Sequence, residues 1–246
     1  MRLEGKRAIV TGGASGFGEG IVRKFAAEGA EVLIADLNEE AARKVADDVG
    51  GVALRVDVAD GASVEALADT AEREMGGIDI LVNNAGITHL PKPMEEVTEE
   101  EFDRVFNVNA KSVYLTARHI VPRMKVAQSG AILNIASTAG LSPRPNLNWY
   151  NASKGWMITA TKTMAVELAP FGVRVNALAP VAGETPLLSS FMGEDTPEMR
   201  AKFLSTIPLG RFSTPEDMGN AACFLCSDEA GMVTGVAMEV DGGRCI

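Results

Sequence analysis

Short apolar runs alternate with amphipathic stretches from one end of the chain to the other. "RAIVT" (7–11), "EVLIAD" (31–36), "VALRVDV" (52–58) and "IDILVNNAG" (78–86) have the length and side-chain content of buried strands. Between them, "FGEGIVRKFAAEG" (17–29) repeats apolar residues at helical spacing, with Ile21, Val22 and Phe25 on one face. "NEEAARKVADDVG" (38–50), with Asn38 as its N-cap, and "ASVEALADTAEREMG" (62–76) predict two further helices. A helical region over 98–126, the strand "GAILNIAS" (130–137), a helix over 150–169 and the strand "VRVNALAP" (173–180) follow. The chain closes with an irregular helical stretch over 185–206, a helix over 214–227 and the strand "VAMEVDG" (236–242). Such alternation requires crossover connections, so the expected fold is α/β, a doubly wound parallel seven-stranded sheet with helices on both faces. Runs such as "ILVNNAG" and "AILNIAS" are nearly apolar throughout, as strands covered on both sides must be. No linker or repeat interrupts the pattern, which predicts one domain over 1–246 with 185–206 as a substrate lid.

Composition narrows the function. A net charge of −10 argues against a general nucleic-acid binder or a protein held on anionic membranes. No apolar run reaches the roughly 18–20 residues of a membrane span, and "MRLEGKRAIV" does not read as a secretion signal. Three cysteines, Cys223, Cys226 and Cys245, fit a reducing, cytoplasmic setting better than a disulfide framework. Cys223 and Cys226 form a CxxC without a second ligand pair, on an alanine-rich helix end, so packing is expected there and no metal site.

Five glycines crowd "VTGGASGFGEG" (10–20), between a strand and a helix. A turn feeding a helix N-terminus offers unpaired N–H groups and the positive end of the helix dipole, a setting for pyrophosphate. Gly12, Gly16 and Gly18, with Ser15 and Phe17 between them, are the expected cradle. Their spacing is Gly12-x-x-x-Gly16-x-Gly18 rather than GxGxxG, which leaves a structural turn or a methyl-donor cofactor site open. Asp36 ends the second strand about 20 residues further on, where a carboxylate can accept bonds from both adenosine-ribose hydroxyls. It would repel a 2′-phosphate, and neighbouring Ser15 and Leu37 carry no compensating charge, so NAD is expected; capping of the turn before Asn38 is the alternative role. Asp57 and Val58, at the end of the third strand, are candidates for the adenine. "NNAG" (83–86) is expected both to brace the sheet through its asparagines and to set Asn84, Ala85 and Gly86 beside the cofactor.

"WYNASKG" (149–155) opens a helix and puts Tyr150 and Lys154 on one face, one turn apart. A free tyrosine, with a pKa of about 10, is a poor base at neutral pH. An adjacent ammonium and a cationic nicotinamide would both stabilise the phenolate. Ser137, at the end of "AILNIAS", stands where open α/β sheets present ligand-contacting groups. Its hydroxyl could hold a substrate oxygen beside Tyr150, and pattern alone does not separate it from Thr138.

In order, "TGGASGFG" (11–18), "NNAG" (83–86), "NVNA" (107–110), Ser137, "YNASK" (150–154), "RVNALAP" (174–180) and "VDGG" (240–243) resemble the short-chain dehydrogenase/reductase family along essentially the whole chain. The resemblance implies a Rossmann-like fold with strand order 3-2-1-4-5-6-7 and a homotetramer built on helix contacts. It implies NAD-dependent hydride exchange between a secondary alcohol and its ketone, with Tyr150 as general acid/base and Ser137 holding the substrate oxygen. Lys154 would bind the nicotinamide ribose and lower the tyrosine pKa. Asn109 resembles the residue that anchors a water in the proton relay, and Thr185 the one that bonds the nicotinamide carboxamide, after Pro180 and Gly183.

Two positions depart from the family. Where members carry Pro-Gly, this chain has Pro180-Val181-Ala182-Gly183, which leaves the backbone path beside the nicotinamide open. Phe17 stands where isoleucine is common. His89–Pro91, Leu141–Leu147 and "LLSSFMG" (187–193) are the expected substrate walls; no basic cluster announces a carboxylate or phosphate substrate, and Arg144 is a single candidate for one, with a solvated surface position as its favoured role. His119 and "IVPRM" belong to a helix used either in subunit packing or in the monomer core. Related readings are a 3-oxoacyl-[acyl-carrier-protein] reductase, which Asp36 disfavours through its usual NADPH, and a sugar-nucleotide epimerase, which has another glycine spacing. A reading from a different class is an inactive nucleotide-sensing or scaffold protein.

Overall fold

A computed structural model describes residues 1–246. Seven parallel strands form one sheet in the order β3-β2-β1-β4-β5-β6-β7, as the pattern and the family resemblance together anticipate. The strands are β1 (Arg7–Thr11), β2 (Glu31–Asp36), β3 (Val52–Arg55), β4 (Ile80–Asn83), β5 (Gly130–Ile135), β6 (Val173–Pro180) and β7 (Ala237–Val240). Successive strand residues point to opposite faces, and both faces are buried. Ala8 and Val10 of β1 and Val32 and Ile34 of β2 pack under α1 (Gly16–Ala27), α2 (Glu39–Val49) and α9 (Pro215–Cys226). The intervening Ile9, Leu33 and Ala35 pack under α3 (Gly61–Met75), α5 (Ser112–Ala127) and α6 (Asn148–Leu168). Fully burying one such side chain contributes roughly 1.5–3 kcal/mol, so the doubled alternation fixes the register of every strand.

The chain reverses direction across the sheet between β1 and β4, which lie side by side. Loops leaving neighbouring carboxyl ends in opposite directions open a crevice at such a point. Helix boundaries follow local chemistry. The Asn38 side chain accepts from the Ala41 N–H at 3.1 Å at the start of α2. Thr98 and Glu101 form a reciprocal capping box on α4 (Glu99–Phe106).

The expected helical region over 98–126 consists of α4, a π turn over Asn107–Lys111, and α5. An inserted residue widens the backbone there without altering the spacing of apolar residues. β3 ends at Arg55 because the Asp57 carboxylate turns back to accept from the Ala59 N–H at 2.9 Å, closing the strand into a cap. The stretch 185–206 contains two short helices, α7 (Leu188–Met192) and α8 (Pro197–Leu204). Leu188 and Met192 bury with Val181, Ile207 and Phe212 in a cluster separate from the main cores.

Cys223 and Cys226 face the main core from α9, and burial pushes the Cys226 thiol up to about 12. Ile120 and Met124 of "IVPRM" are fully buried against the sheet, so the monomer core accounts for that apolar face. No helix is long and apolar enough to cross a membrane.

Candidate active site

One cleft of about 490 Å³ runs along the carboxyl edge of the sheet, over the crevice between β1 and β4. Its floor begins at the glycine turn. Gly12 has φ +61°, a conformation that L side chains rarely adopt. A Cβ at Gly18 would lie 2.0 Å from the Gly12 carbonyl oxygen, so α1 can pack this tightly on the loop only without one. The loop is tied to the turn after β4. Asn84 Nδ2 donates to the Thr11 and Gly12 carbonyls, both at 2.9 Å, while Thr11 Oγ1 accepts from the Asn84 and Ala85 N–H groups at 3.0 and 3.1 Å. Asn83, buried, donates from Nδ2 to Asn134 Oδ1 at 2.8 Å and accepts from Thr116 Oγ1 at 2.9 Å. The asparagine pair therefore divides its work: Asn83 braces the sheet and Asn84 holds the loop.

Gly12, Ser15, Gly16, Phe17, Gly18, Asp36, Leu37, Asp57, Val58, Asn84, Ala85 and Gly86 all line this end of the cleft. The Asp36 carboxylate accepts from the Ala14 N–H at 3.1 Å and the Asn38 N–H at 2.9 Å. It caps the turn before Asn38 while still facing the cleft, so the capping role does not withdraw the carboxylate from that space. A carboxylate has further lone pairs for ribose hydroxyls.

At the other end stand Ser137, Tyr150 and Lys154. Tyr150 sits in the first turn of α6 and Lys154 one turn on, both buried. Lys154 Nζ lies 5.9 Å from the centre of the Tyr150 ring and donates to the Ile135 carbonyl at 2.8 Å. Burial pushes the phenol up to about 12, against the pull of the Ser137 hydroxyl, which separates Ser137 from Thr138 as the group facing Tyr150. Burial also lowers the Lys154 ammonium to about 8, so the lysine remains largely charged at neutral pH. In the protein alone burial dominates the phenol, and a further positive charge is needed to bring it into a useful range.

Asn109 occupies the π turn and is wholly buried. Its Oδ1 accepts from the Ile87 N–H at 2.9 Å, and its Nδ2 donates to the Ile87 carbonyl at 2.9 Å and Ser153 Oγ at 3.0 Å. Ser153 in turn donates to the Tyr150 carbonyl at 2.7 Å. Both polar atoms of the Asn109 side chain thus have protein partners, and they tie the π turn to the loop after β4 and to α6. Ser153, three residues after the tyrosine in "YNASK", is a link that sequence reasoning missed; its place at i+3 on the helix was the available signal.

The two departures from the family meet in space. Gly183 bridges to Ser213, and a Cβ there would lie 2.2 Å from Phe17 Cζ. The Phe17 ring fills the volume that a larger residue at 183 would need. Thr185 reaches the same corner: its side chain lies 3.2 Å from where a Gly16 Cβ would stand, and its N–H donates to the Gly183 carbonyl at 2.8 Å. Pro180, Gly183 and Thr185 all line the cleft.

The expected substrate walls are corrected in part. His89, Leu90 and Pro91 do not line the cleft; His89 is buried, with Nδ1 held 2.8 Å from the Leu90 carbonyl. Ser142, Arg144 and Leu147 supply one wall. Leu187 and Phe191 supply the facing one, Phe191 packing edge-on to the Tyr150 ring at 5.1 Å.

With this geometry in place, comparison with known proteins is informative. The family profile described as Enoyl-(Acyl carrier protein) reductase matches residues 12–244. The chain is 51% identical over 252 aligned positions to a 4-formylbenzenesulfonate dehydrogenase of Comamonas testosteroni, covering all of both chains. It is 40% identical to the 3-oxoacyl-[acyl-carrier-protein] reductase of Thermotoga maritima, again over the full length of both. Among solved structures, the NADH complex of a 3-ketoacyl-(acyl-carrier-protein) reductase from Brucella melitensis matches with a TM-score of 0.95 at 49% identity, over 99% of this chain and 100% of that one.

Proposed function

The chain belongs to the short-chain dehydrogenase/reductase family of oxidoreductases, and from that premise we propose that it moves a hydride reversibly between NAD(H) and a secondary alcohol or its ketone, with Tyr150 as general acid/base. The observation that carries the reading is one shared cleft: the glycine turn and Asp36 at one end, Ser137, Tyr150 and Lys154 at the other. Bound NAD supplies the carbon that accepts the hydride. The residues do the rest. Gly12, Gly16 and Gly18 let the backbone close on a pyrophosphate, and Asp36 receives the adenosine-ribose hydroxyls. Asp57 and Val58 flank the adenine; Asn84, Ala85, Gly86, Pro180, Gly183 and Thr185 frame the nicotinamide half.

In oxidation Ser137 holds the substrate oxygen and Tyr150 takes its proton. Lys154 contributes positive charge beside the phenol, and Asn109 keeps the π turn and α6 in register beneath them. The segment 185–206 serves as a lid, anchored by Leu188 and Met192 and presenting Leu187 and Phe191 inward. The whole chain works as one dinucleotide-binding and catalytic domain. A cytoplasmic homotetramer without nucleic-acid or membrane partners completes the proposal, on the strength of the net charge of −10, the cysteine usage and the family. Exposed Val166 and half-exposed Trp156 on α6 are apolar positions available to a helix-mediated contact.

A second reading, 3-oxoacyl-[acyl-carrier-protein] reductase, is favoured by the names of two of the relatives. Turnover with NADH and NADPH over a panel of alcohols, ketones and an acyl-carrier substrate separates the two readings. A preference for NADH with small alcohols supports the first; strong preference for NADPH contradicts the role of Asp36. The Tyr150→Phe variant is expected to lose at least about 10²–10⁴-fold in kcat while binding NADH nearly as before. Substantial remaining turnover would defeat the assignment, and NADH binding without turnover in the unmutated protein would favour the inactive sensing reading.

A further inference from the structure

Several arginines are held by carboxylates or by backbone carbonyls, and the one at the cleft is held by neither. Arg7, Arg23, Arg200 and Arg211 hold carboxylates. Half-buried Arg174 donates to the carbonyls of Leu225, Val233 and Ser227 at 2.7–3.3 Å. Arg144, in contrast, lines the cleft beside Ser142 and Leu147 and meets no acid. Its one side-chain hydrogen bond runs from Nη2 to Thr206 Oγ1 at 2.9 Å, and its guanidinium lies 4.5 Å from the centre of the Phe203 ring. Behind it stands a second cation, Arg244, which donates from Nη1 to Ser142 Oγ at 3.3 Å and whose buried Nε has no partner. Burial and the Arg244 charge both hold the Arg144 guanidinium below its ordinary value.

Two guanidinium groups gathered without an intervening carboxylate repel each other, and partial burial strengthens that repulsion. The arrangement is nevertheless fastened in place. Asn151, next to Tyr150 in α6 and 8% exposed, donates from Nδ2 to the Arg144 carbonyl at 2.7 Å. Its Oδ1 is buried without a partner, a second unsatisfied polar atom at this corner. The tie fixes the loop bearing Arg144 to the residue after the phenol. Leu147, Leu187 and Phe191 line the same cleft as the phenol and the guanidinium and give it an apolar wall, Phe191 lying edge-on to the Tyr150 ring. Asp36 marks the opposite, adenosine end, so this positive corner does not face a cofactor phosphate.

We propose that Arg144, reinforced by Arg244, is an anion subsite that selects substrates whose reacting carbinol or carbonyl is carried on a flat apolar body ending in a carboxylate or sulfonate. The anion lies against the guanidinium, the body lies along the apolar wall, and the reacting oxygen reaches Ser137 and Tyr150. Phe203 and Thr206, both from the lid segment, pack on the same arginine, so the anion also favours the closed lid. The proposal deepens the hydride-transfer reading and rests on it for the turnover arm of its test.

Two measurements keep the ideas apart. In the first, calorimetry titrates the NADH-bound protein with 4-methylbenzenesulfonate and with its neutral sulfonamide. The second compares kcat/KM for 4-(1-hydroxyethyl)benzenesulfonate and the corresponding sulfonamide with NAD. The anionic member of each pair is expected to be preferred by about 10–100-fold, the range for a hydrogen bond to a charged group. Arg144→Gln should collapse the anionic-to-neutral ratio towards one, chiefly through KM; Arg144→Lys should retain part of it, and NADH binding reports that each variant is folded. A ratio near one in the unmutated protein, or a ratio that Arg144→Gln leaves unmoved, overturns the subsite. Absence of all turnover with a preserved preference in calorimetry would instead contradict the hydride-transfer reading and leave the subsite standing.

Discussion

The two ends of the cleft are built by different means. At the nucleotide end, every contact comes from a strand terminus or the turn that follows it, and the backbone does most of the holding. Asn84 and Thr11 tie β1 to β4 through four hydrogen bonds between 2.9 and 3.1 Å, and Gly12 and Gly18 leave no room for a Cβ. At the substrate end, the walls come from a loop after β5 and from the segment 185–206, which buries its own small cluster apart from the main cores. The first end is part of the sheet; the second leans against it. That contrast suits a family whose members act on different substrates, because the substrate walls can change without disturbing the strands.

The contrast can be broken at the chemistry between the two ends. Burial lowers Lys154 to about 8, whereas an unfolded chain titrates lysine near 10.4. Between these values the unfolded chain binds more protons, so stability should rise with pH over that window, and the cost of burying the charge is fully present below it. Relative to Lys154→Met, the unmutated protein should gain up to about 3 kcal/mol from pH 8 to 10.4, read from urea midpoints. Parallel profiles for the two proteins would show that the ammonium is not held in a dry site.

A smaller effect sharpens the comparison at the seam. Gly183→Ala would drive a Cβ to 2.2 Å from Phe17 Cζ and 2.9 Å from the Ser213 carbonyl oxygen. Overpacking of this kind costs about 1–3 kcal/mol, and most of it should vanish on a Phe17→Ile background, with a residue left by the fixed carbonyl. Thermal unfolding and NADH binding of the four proteins in that cycle measure the coupling. Additive effects would mean that the two departures from the family are independent.

Legibility in the sequence follows the same division. The strands announced themselves because double burial leaves them apolar throughout, and Asp36 and "NNAG" could be placed because strand ends are fixed by the sheet. Phe17 and Gly183 were each recognised as unusual, but their contact depends on β6 and α1 meeting across more than 160 positions of chain, which no local pattern encodes. Arg144 reads first as a solvated surface residue, with an anionic substrate as the alternative, for a similar reason. Its neighbours Thr206 and Phe203 lie about 60 residues away, and Arg244 reaches Ser142 across 102. The π turn at Asn107–Lys111 escaped because one inserted residue does not disturb the period of buried positions on either side.

The convergence of Tyr150, Ser137 and Lys154 on a bound dinucleotide has a direct spectroscopic test. The chain has two tyrosines, and Tyr114 is the exposed one, so Tyr114→Phe leaves the phenol of Tyr150 as a single ultraviolet probe. Without cofactor that phenol should ionise at about 12, in keeping with its burial. Saturation with NAD should bring its ionisation below that of a free tyrosine, and Lys154→Met should reverse much of the shift. A phenol whose titration is indifferent to NAD would contradict the account.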